Sequence, residues 1–311
     1  MTRRVLLLVA AALAAAAFAC DIPGTASPTP FALPTPNLTL TAIFAPAHTP
    51  TESPPTETPV VALTTPSPTA VTGTPAGGTT PGAPTPTVNP AGPRPNGTPL
   101  NAVNLTVAPA IDGDLSDWRG VSYGLAACTF GCNLRSGDAD LSGTVFLGYD
   151  TANLYLALQV RDDKYVQVTS GRYMYQGDEV EIQLDANLAA DFTTTSLSAD
   201  DYQIGLSAGN FGTVAPNAYR WYPRSAEGSL TAVVVKAKQV ADGYTLEAKI
   251  PWTVFGVTPV TGNKYGFAIS LSDGDQAGTA VQQSMVSSVG TRKLLNPTTW
   301  GTLILAPGGS S

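Results

Sequence analysis

The chain has 311 residues, of which 43% are hydrophobic and 13% charged, and its formal net charge is −7. An acidic chain without basic clusters argues against nucleic acid or an anionic membrane surface as its partner. The single histidine, His48, lies in a proline-rich stretch, so the rest of the chain has none for a Ser-His-Asp triad or a histidine-bound metal. Of the 27 prolines, 20 lie between Cys20 and Leu100, which indicates two unlike parts.

Residues 1–20 have the pattern of an export signal. Two arginines at positions 3 and 4 precede an apolar run over residues 5–17. Ala17-Phe18-Ala19-Cys20 then resembles the lipobox of a bacterial lipoprotein. This predicts an exported protein at the bacterial cell surface, held to the membrane only by lipid on Cys20. The alternative is an ordinary signal peptide with an incidental cysteine.

Residues 21–99 are rich in Thr, Pro, Ala, Ser and Gly and carry almost no charge. Such a segment cannot bury enough apolar surface to offset its ordering entropy, so we expect a disordered linker. Its ends would average about 50 Å apart as a coil and about 240 Å as extended polyproline. The linker would therefore carry a domain away from the membrane.

Three runs alternate apolar and polar residues with a period of two, at 144–150, 154–163 and 178–185. This is the pattern of half-buried strands. In the third run, Glu179, Glu181, Gln183 and Asp185 share the face opposite the apolar residues. That face is predicted to be either a solvated outer surface or the floor of a polar site.

Several further short runs are strand candidates, and Asp242-Gly243 between two of them is a hairpin signal. These runs are 105–107, 202–206, 230–238, 244–250, 265–272 and 302–305. No run has the pattern of an amphipathic helix. We therefore predict an all-β fold over residues 100–307, an antiparallel β-sandwich of immunoglobulin-like or jelly-roll type, with 308–311 as a tail.

Cys128 and Cys132 are the two cysteines that remain beside Cys20. In an exported protein, a close pair predicts a disulfide that braces a small loop. A zinc site would need two more ligands, and this part of the chain has no histidine to supply them.

The predicted domain resembles the family 9 carbohydrate-binding modules and their DOMON-like relatives. Five pieces carry the resemblance, in the family's order: IDGDLSDW at 111–118, LGYDTANLYLALQVRDD at 147–163, GDEVEIQLD at 177–185, GYTLEAKIPW with GFAISLSDGD, and NPTTWGTLIL at 296–305. The resemblance implies that Trp118, Trp252 and Trp300 pack in the core.

In sugar-binding members two aromatic rings enclose a terminal sugar, and carboxylate and amide groups bond its hydroxyls. The resemblance implies Tyr175 as the first ring, Glu181 as the acidic group and Gln203 as a further polar group. The second ring is replaced by Leu294. Trp221 or Tyr222, from an apparent loop, is predicted to supply it.

The resemblance also implies a structural calcium ion, and Asp162, Asp163 and Asp178 are the predicted ligands because acidic loops suit Ca²⁺. No organic cofactor is expected. A glycosidase would need Glu179 and Glu181 as its acid pair, but two carboxyls on one strand face point the same way, so we predict no enzyme.

The expected function is a surface-tethered, non-catalytic module that binds a polysaccharide or glycan, with a separate enzyme or surface protein as a possible partner. The alternatives are a structural or adhesive display domain without a sugar ligand, and a haem-binding electron-transfer domain. The haem alternative would need Met174 or Met285 with a lysine as ligands.

Overall fold

The computed structural model describes residues 92–308. The predicted signal peptide, the lipidation site at Cys20 and the linker up to residue 91 lie outside this range. Over residues 92–308, no helix combines the length and the apolar character needed to cross a membrane.

Fourteen strands and five short 3-10 helices make up the regular structure of residues 92–308. The strands are β1 Leu100–Asn104, β2 Tyr123–Leu125, β3 Ala127–Phe130, β4 Leu141–Tyr149, β5 Asn153–Asp162, β6 Glu179–Asp185, β7 Asp201–Ser207, β8 Asn217–Tyr222, β9 Gly228–Ser229, β10 Val234–Val240, β11 Gly243–Pro251, β12 Lys264–Asp273, β13 Ser284–Ser287 and β14 Gly301–Ala306. The 3-10 helices are Leu115–Asp117, Gly171–Gln176, Arg224–Ala226, Trp252–Val254 and Pro297–Thr299. The predicted all-β class is confirmed.

The strands form one curled sheet, in which eleven strands follow the order β10-β11-β5-β4-β1-β14-β12-β6-β7-β8-β9. Of the other three, β2 pairs with β4, β13 pairs with β12, and β3 pairs with β13. The two halves of the sheet fold over each other, so that β4 faces β12 across the core. The sheet is mixed rather than purely antiparallel, because β1 runs parallel to both of its neighbours, β14 and β4. Strand β1 thereby joins the two layers.

The predicted alternation is confirmed in β4, β5 and β6, whose apolar side chains lie in the core between the layers. The hairpin at Asp242-Gly243 is also present, because β10 pairs with β11 directly across this turn. Trp118, Trp252 and Trp300 are all buried, as the resemblance implied.

Two sequence predictions about local structure are corrected. The segment around Trp221, which has no alternating pattern and was expected to be a loop, is strand β8, because its backbone pairs with β7. Residues 105–107 follow β1 rather than forming a strand, and Val107 is 80% exposed.

The folded chain starts before Leu100, within the range assigned to the linker. Arg94 is buried, and its Nη2 donates to Asp185 Oδ2 at 2.8 Å. Asn96 Nδ2 donates to the backbone oxygens of Thr298 and Trp300 at 2.7 and 2.8 Å. These contacts hold residues 94–96 against the second layer.

Candidate functional site

The polar face of β6 is not a solvated surface. Glu179, Glu181, Gln183 and Asp185 are each at most 3% exposed, so β6 is buried on both faces. Burying such groups is costly unless they find partners, and the contacts around them therefore define a polar site.

Glu181 is the centre of a network of side-chain hydrogen bonds. Its Oε2 accepts from Gln203 Nε2 at 2.9 Å, so the structure brings these two predicted residues together. Its Oε1 accepts from the guanidinium of Arg292 and from the amide of Gln183. Every oxygen of Glu181 thus has a partner, which stabilises the buried carboxylate.

Arg292 was not predicted, although it provides the positive charge of this network. Its Nε donates to Gln183 Oε1 at 3.2 Å, and its Nη1 lies 3.0 Å from Met285 Sδ. The one sequence signal was its position two residues before Leu294, in the segment where the second ring was expected.

Leu294 leaves the expected ring position without an aromatic side chain. Leu294 and Leu295 are 40% and 48% exposed, beside Arg292 in the turn between β13 and β14. The turn is held in place by Trp300, whose Nε1 donates to the backbone oxygen of Lys293 at 2.9 Å. This position therefore presents an exposed aliphatic surface.

Glu179 lies beside the network with neither carboxyl oxygen hydrogen-bonded. Burial raises its pKa well above the usual value, and the neighbouring charge of Glu181 raises it further, whereas Arg292 acts in the opposite direction. The raised pKa favours the protonated form of Glu179, which carries no unpaired buried charge.

Gly205 makes room for the Trp221 ring over Glu179. A Cβ at Gly205 would lie 2.3 Å from the indole and 2.8 Å from Glu179 Oε2. The ring thus rests directly on β7, with the Glu179 carboxyl close to the same glycine. Trp221 Nε1 donates to the backbone oxygen of Arg172 at 2.8 Å, which fixes the ring plane.

Tyr175 and Trp221, predicted as the two rings of the site, are neighbours. Their ring centroids are 6.2 Å apart with an interplanar angle of 79°, an edge-to-face contact. Tyr219 packs on the same indole at 5.8 Å. Because Trp221 is 6% exposed and Tyr175 is half-buried, the indole supports the tyrosine from behind rather than facing it across a cleft.

An irregularity in the pairing of β7 with β8 determines where Tyr222 lies. The register shifts between Gln203 and Ile204, so that Tyr222 pairs with Gln203 while Arg220 pairs with Ile204. Strand β8 therefore has one extra residue between these two pairs, which is a β-bulge. A bulge changes the direction in which the neighbouring side chains point. Tyr222 is half-buried and lies directly opposite Gln203.

The predicted calcium ligands fall into two neighbouring acidic groups. Asp162 and Asp178 share one group with Asp273, all three buried and with oxygens within 4.8 Å of one another. Asp163 lies instead in the second group, with Asp140 and Asp275. The tertiary fold divides the predicted set, because Asp162 and Asp163 point to opposite sides of the chain.

The buried acidic group fits a calcium ion. Asp162 Oδ2 and Asp273 Oδ1 are buried without hydrogen-bond partners, and hard oxygen donors of this kind suit Ca²⁺. Burial, with a smaller contribution from the charges of neighbouring aspartates, raises the pKa of Asp162 to about 7 and that of Asp273 to about 6.

The disulfide between Cys128 and Cys132 is confirmed. It closes the loop at β3, and β3 pairs with β13, which carries Met285. Met174 and Met285, the methionines that a haem ligand set would use, are both buried, and Met285 Sδ contacts Arg292.

The domain is a two-layer β fold in which tyrosine rings lie beside a buried network of carboxylate and amide groups. The chain belongs to the family described as Carbohydrate family 9 binding domain-like, whose model matches residues 111–307. This confirms the family that the sequence resembles.

One solved structure supports this fold, and a second is similar at a lower TM-score. A family 9 carbohydrate-binding module from Caldicellulosiruptor kristjanssonii, in complex with cellotriose, is 23% identical and covers 69% of this chain and 96% of that chain at a TM-score of 0.51. A module of this family from the same organism, in complex with glucose, is 23% identical over 68% and 97% at a TM-score of 0.49. A comparison with curated proteins gives no match.

Proposed function

We propose that residues 92–308 form a non-catalytic module that binds a glycan on the surface around Tyr175, Glu181, Gln203 and Tyr222. The observation that carries the proposal is the Tyr175 ring braced by Trp221, whose strand β8 pairs with β7, the strand that carries Gln203 and its hydrogen bond to Glu181. Membership of the carbohydrate-binding family supports it.

The side chains suit a sugar for a physical reason. A pyranose has an apolar face that stacks on an aromatic ring, and its hydroxyls need directed partners once they leave water. Tyr175 and Tyr222, both half-buried, offer ring surface, and the half-buried Gln203 offers a side-chain amide whose position is fixed by its hydrogen bond to Glu181. Trp221 has the supporting role.

The test is binding of the full chain, with calcium present, to a glycan array and to insoluble and soluble β-glucans. Cellotriose is the first soluble probe, because a solved relative carries it. Tyr175→Ala and Tyr222→Ala should each lower the affinity about tenfold. Phe211→Ala, an exposed ring on the loop between β7 and β8, is the control and should leave it unchanged.

Retained affinity in both tyrosine variants would place glycan binding elsewhere on the domain. Failure to bind any glycan would favour a structural or adhesive display domain instead. The aliphatic surface of Leu294 and Leu295, where a second ring was expected, is the observation that favours this second function.

The absence of catalysis is part of the proposal. Glu179 and Glu181 are neighbours on one strand face, whereas a glycosidase needs carboxyls on opposite sides of the scissile bond. Both oxygens of Glu181 are also held by protein side chains. Incubation with the bound glycan should release no reducing sugar above that from the Glu181→Gln variant.

The proposal extends to surface display as a lipoprotein, which rests on the sequence around Cys20. In a bacterial host, metabolic labelling with palmitate should label the wild-type chain and leave Cys20→Ser unlabelled and released into the medium. Equal release of both chains would favour an ordinary signal peptide.

Calcium is proposed as a structural ion at Asp162, Asp178 and Asp273. This group joins the ends of β5 and β12 to the start of β6, so the ion would stabilise the strand from which Glu181 projects.

A further inference from the structure

An exposed phenylalanine lies on the loop that the disulfide closes. Phe130 ends β3, between Cys128 and Cys132, and is 50% exposed. Single exposed apolar residues are common on protein surfaces, so the meaning of this ring depends on what surrounds it.

Phe130 lies on the same face of the sheet as the polar site. It pairs with Met285 of β13, Met285 pairs with Ser272 of β12, and Ser272 pairs with Glu179 of β6. Directly opposed residues of antiparallel strands project to the same face, so these four side chains form one row across the sheet. Met285 Sδ contacts Arg292, so this is the face that carries the site.

Tyr175 is held over the same row. Its backbone oxygen accepts from Ser272 Oγ at 3.1 Å. Neighbouring strands are about 4.8 Å apart, so Phe130, two strands from Ser272, begins roughly 10 Å from the point where Tyr175 is held. The Tyr175 ring packs on Trp221, which rests on β7 beyond the opposite edge of β12. The two rings are therefore spaced for neighbouring sugars of one chain rather than for the two faces of a single sugar.

Gln282 lies between the two rings. It belongs to the loop that leads into β13, and its Nε2 donates to Ser272 Oγ at 3.0 Å. This is the same hydroxyl that bonds the Tyr175 oxygen. Gln282 is half-buried, so a fixed amide meets solvent between Tyr175 and Phe130.

The loop that carries Phe130 is fixed in place. The disulfide joins Cys128 to Cys132 across it. Gly131 adopts a left-handed conformation, with φ of 60°, and a Cβ there would overlap the backbone oxygen of Gln283. The loop backbone thus rests directly on the segment that enters β13. A ring that is ordered before the ligand arrives lowers the entropy cost of binding.

We propose that Phe130 is a second sugar-binding platform, on which the sugar unit next to that at Tyr175 stacks, with Gln282 bonding hydroxyls between them. This inference rests on the proposed glycan-binding function and adds that the ligand is an oligosaccharide or polysaccharide rather than a monosaccharide. The apolar face of a pyranose stacks on an exposed ring, and a side-chain amide supplies both a donor and an acceptor for hydroxyls. The disulfide loop is then part of the binding surface.

The test is isothermal calorimetry of the full chain with calcium present, using glucose and cellotriose as probes. Phe130→Ala should lower the affinity for cellotriose about tenfold and leave that for glucose unchanged, because only the longer ligand reaches the second ring. Tyr175→Ala should lower both affinities. Phe211→Ala, which also removes an exposed phenylalanine, is the matched control and should change neither. Where a glycan array identifies another ligand, its monosaccharide and trisaccharide replace these probes.

Further variants separate the ring from its bulk and from its loop. Phe130→Leu keeps a large apolar side chain and should lose affinity as Phe130→Ala does, whereas Phe130→Tyr should retain it. Cys128→Ser together with Cys132→Ser should lower the affinity for cellotriose alone, because the loop is then less ordered. Circular dichroism first establishes that each variant is folded.

The outcomes distinguish this inference from the proposed function. If Phe130→Ala keeps its affinity for cellotriose while Tyr175→Ala loses it, the second platform is overturned and the proposed function stands. Equal losses for glucose and cellotriose in Phe130→Ala would also overturn it, because the ring would then act on the first sugar. A wild-type chain that binds no glycan would overturn both.

Discussion

Arg292 and Glu181, 111 residues apart in the chain, form a buried ion pair at the centre of the candidate site. The side chains are 8% and 4% exposed. Arg292 also bonds Gln183, so one guanidinium holds two neighbouring groups of β6 in position. Arg292 thereby connects the turn between β13 and β14 to strand β6.

Removal of Arg292 should destabilise the domain. Arg292→Ala leaves the carboxylate of Glu181 buried without its charge partner, which typically costs about 3–5 kcal/mol. The measurement is the free energy of unfolding in urea. Arg172→Ala breaks the pair with Glu227, in which the arginine is 46% exposed, and should cost at most about 1 kcal/mol. Equal losses in both variants would contradict the central role of Arg292.

Gly205→Ala should displace Trp221. The added Cβ would lie 2.3 Å from the indole, so the ring must move, and with it the support for Tyr175. We expect a loss of about 1–3 kcal/mol in the free energy of unfolding and weaker glycan binding. Gly124→Ala, with no atom within 4 Å of the new Cβ, is the matched control. Unchanged stability and binding in Gly205→Ala would show that the ring adapts without cost.

Glu179→Gln should alter the pH dependence of stability. The pKa of Glu179 in the folded protein is raised, so the native state keeps a proton that the unfolded chain loses above pH 4.5. The free energy of unfolding of the wild type should therefore fall relative to Glu179→Gln as the pH rises from about 4.5 towards the raised pKa. Urea denaturation at pH 5 and pH 8 measures this difference, and a constant difference would mean that Glu179 has an ordinary pKa.

Calcium should stabilise the domain more at higher pH. Burial raises the pKa of Asp162 to about 7, and calcium must displace its proton. The increase in Tm on adding calcium should therefore be larger at pH 8 than at pH 6. Asp273→Ala should lose part of this increase, whereas Asp112→Ala should retain it. The same increase at both pH values would argue against a carboxylate site that binds protons and calcium in competition.

The alternating runs in β4, β5 and β6 determine much of this protein without tertiary information. Successive side chains of a strand point to opposite faces, so a period of two predicts both the strand and its core-facing residues. The Asp242-Gly243 turn and the close cysteine pair are equally local, because each depends on residues a few positions apart. The class, the disulfide and the family therefore follow from the sequence.

Other features depend on how the sheet curls. Whether Glu181 is solvated or buried depends on Gln203 and Arg292, which bond it from segments further along the chain. The bulge that places Tyr222 opposite Gln203 has no recognisable pattern in the sequence. The division of Asp162 and Asp163 between two acidic groups likewise depends on which loops meet at the ends of the strands. Local patterning sets the strands, whereas contacts between distant residues, created when the two layers close, decide the site.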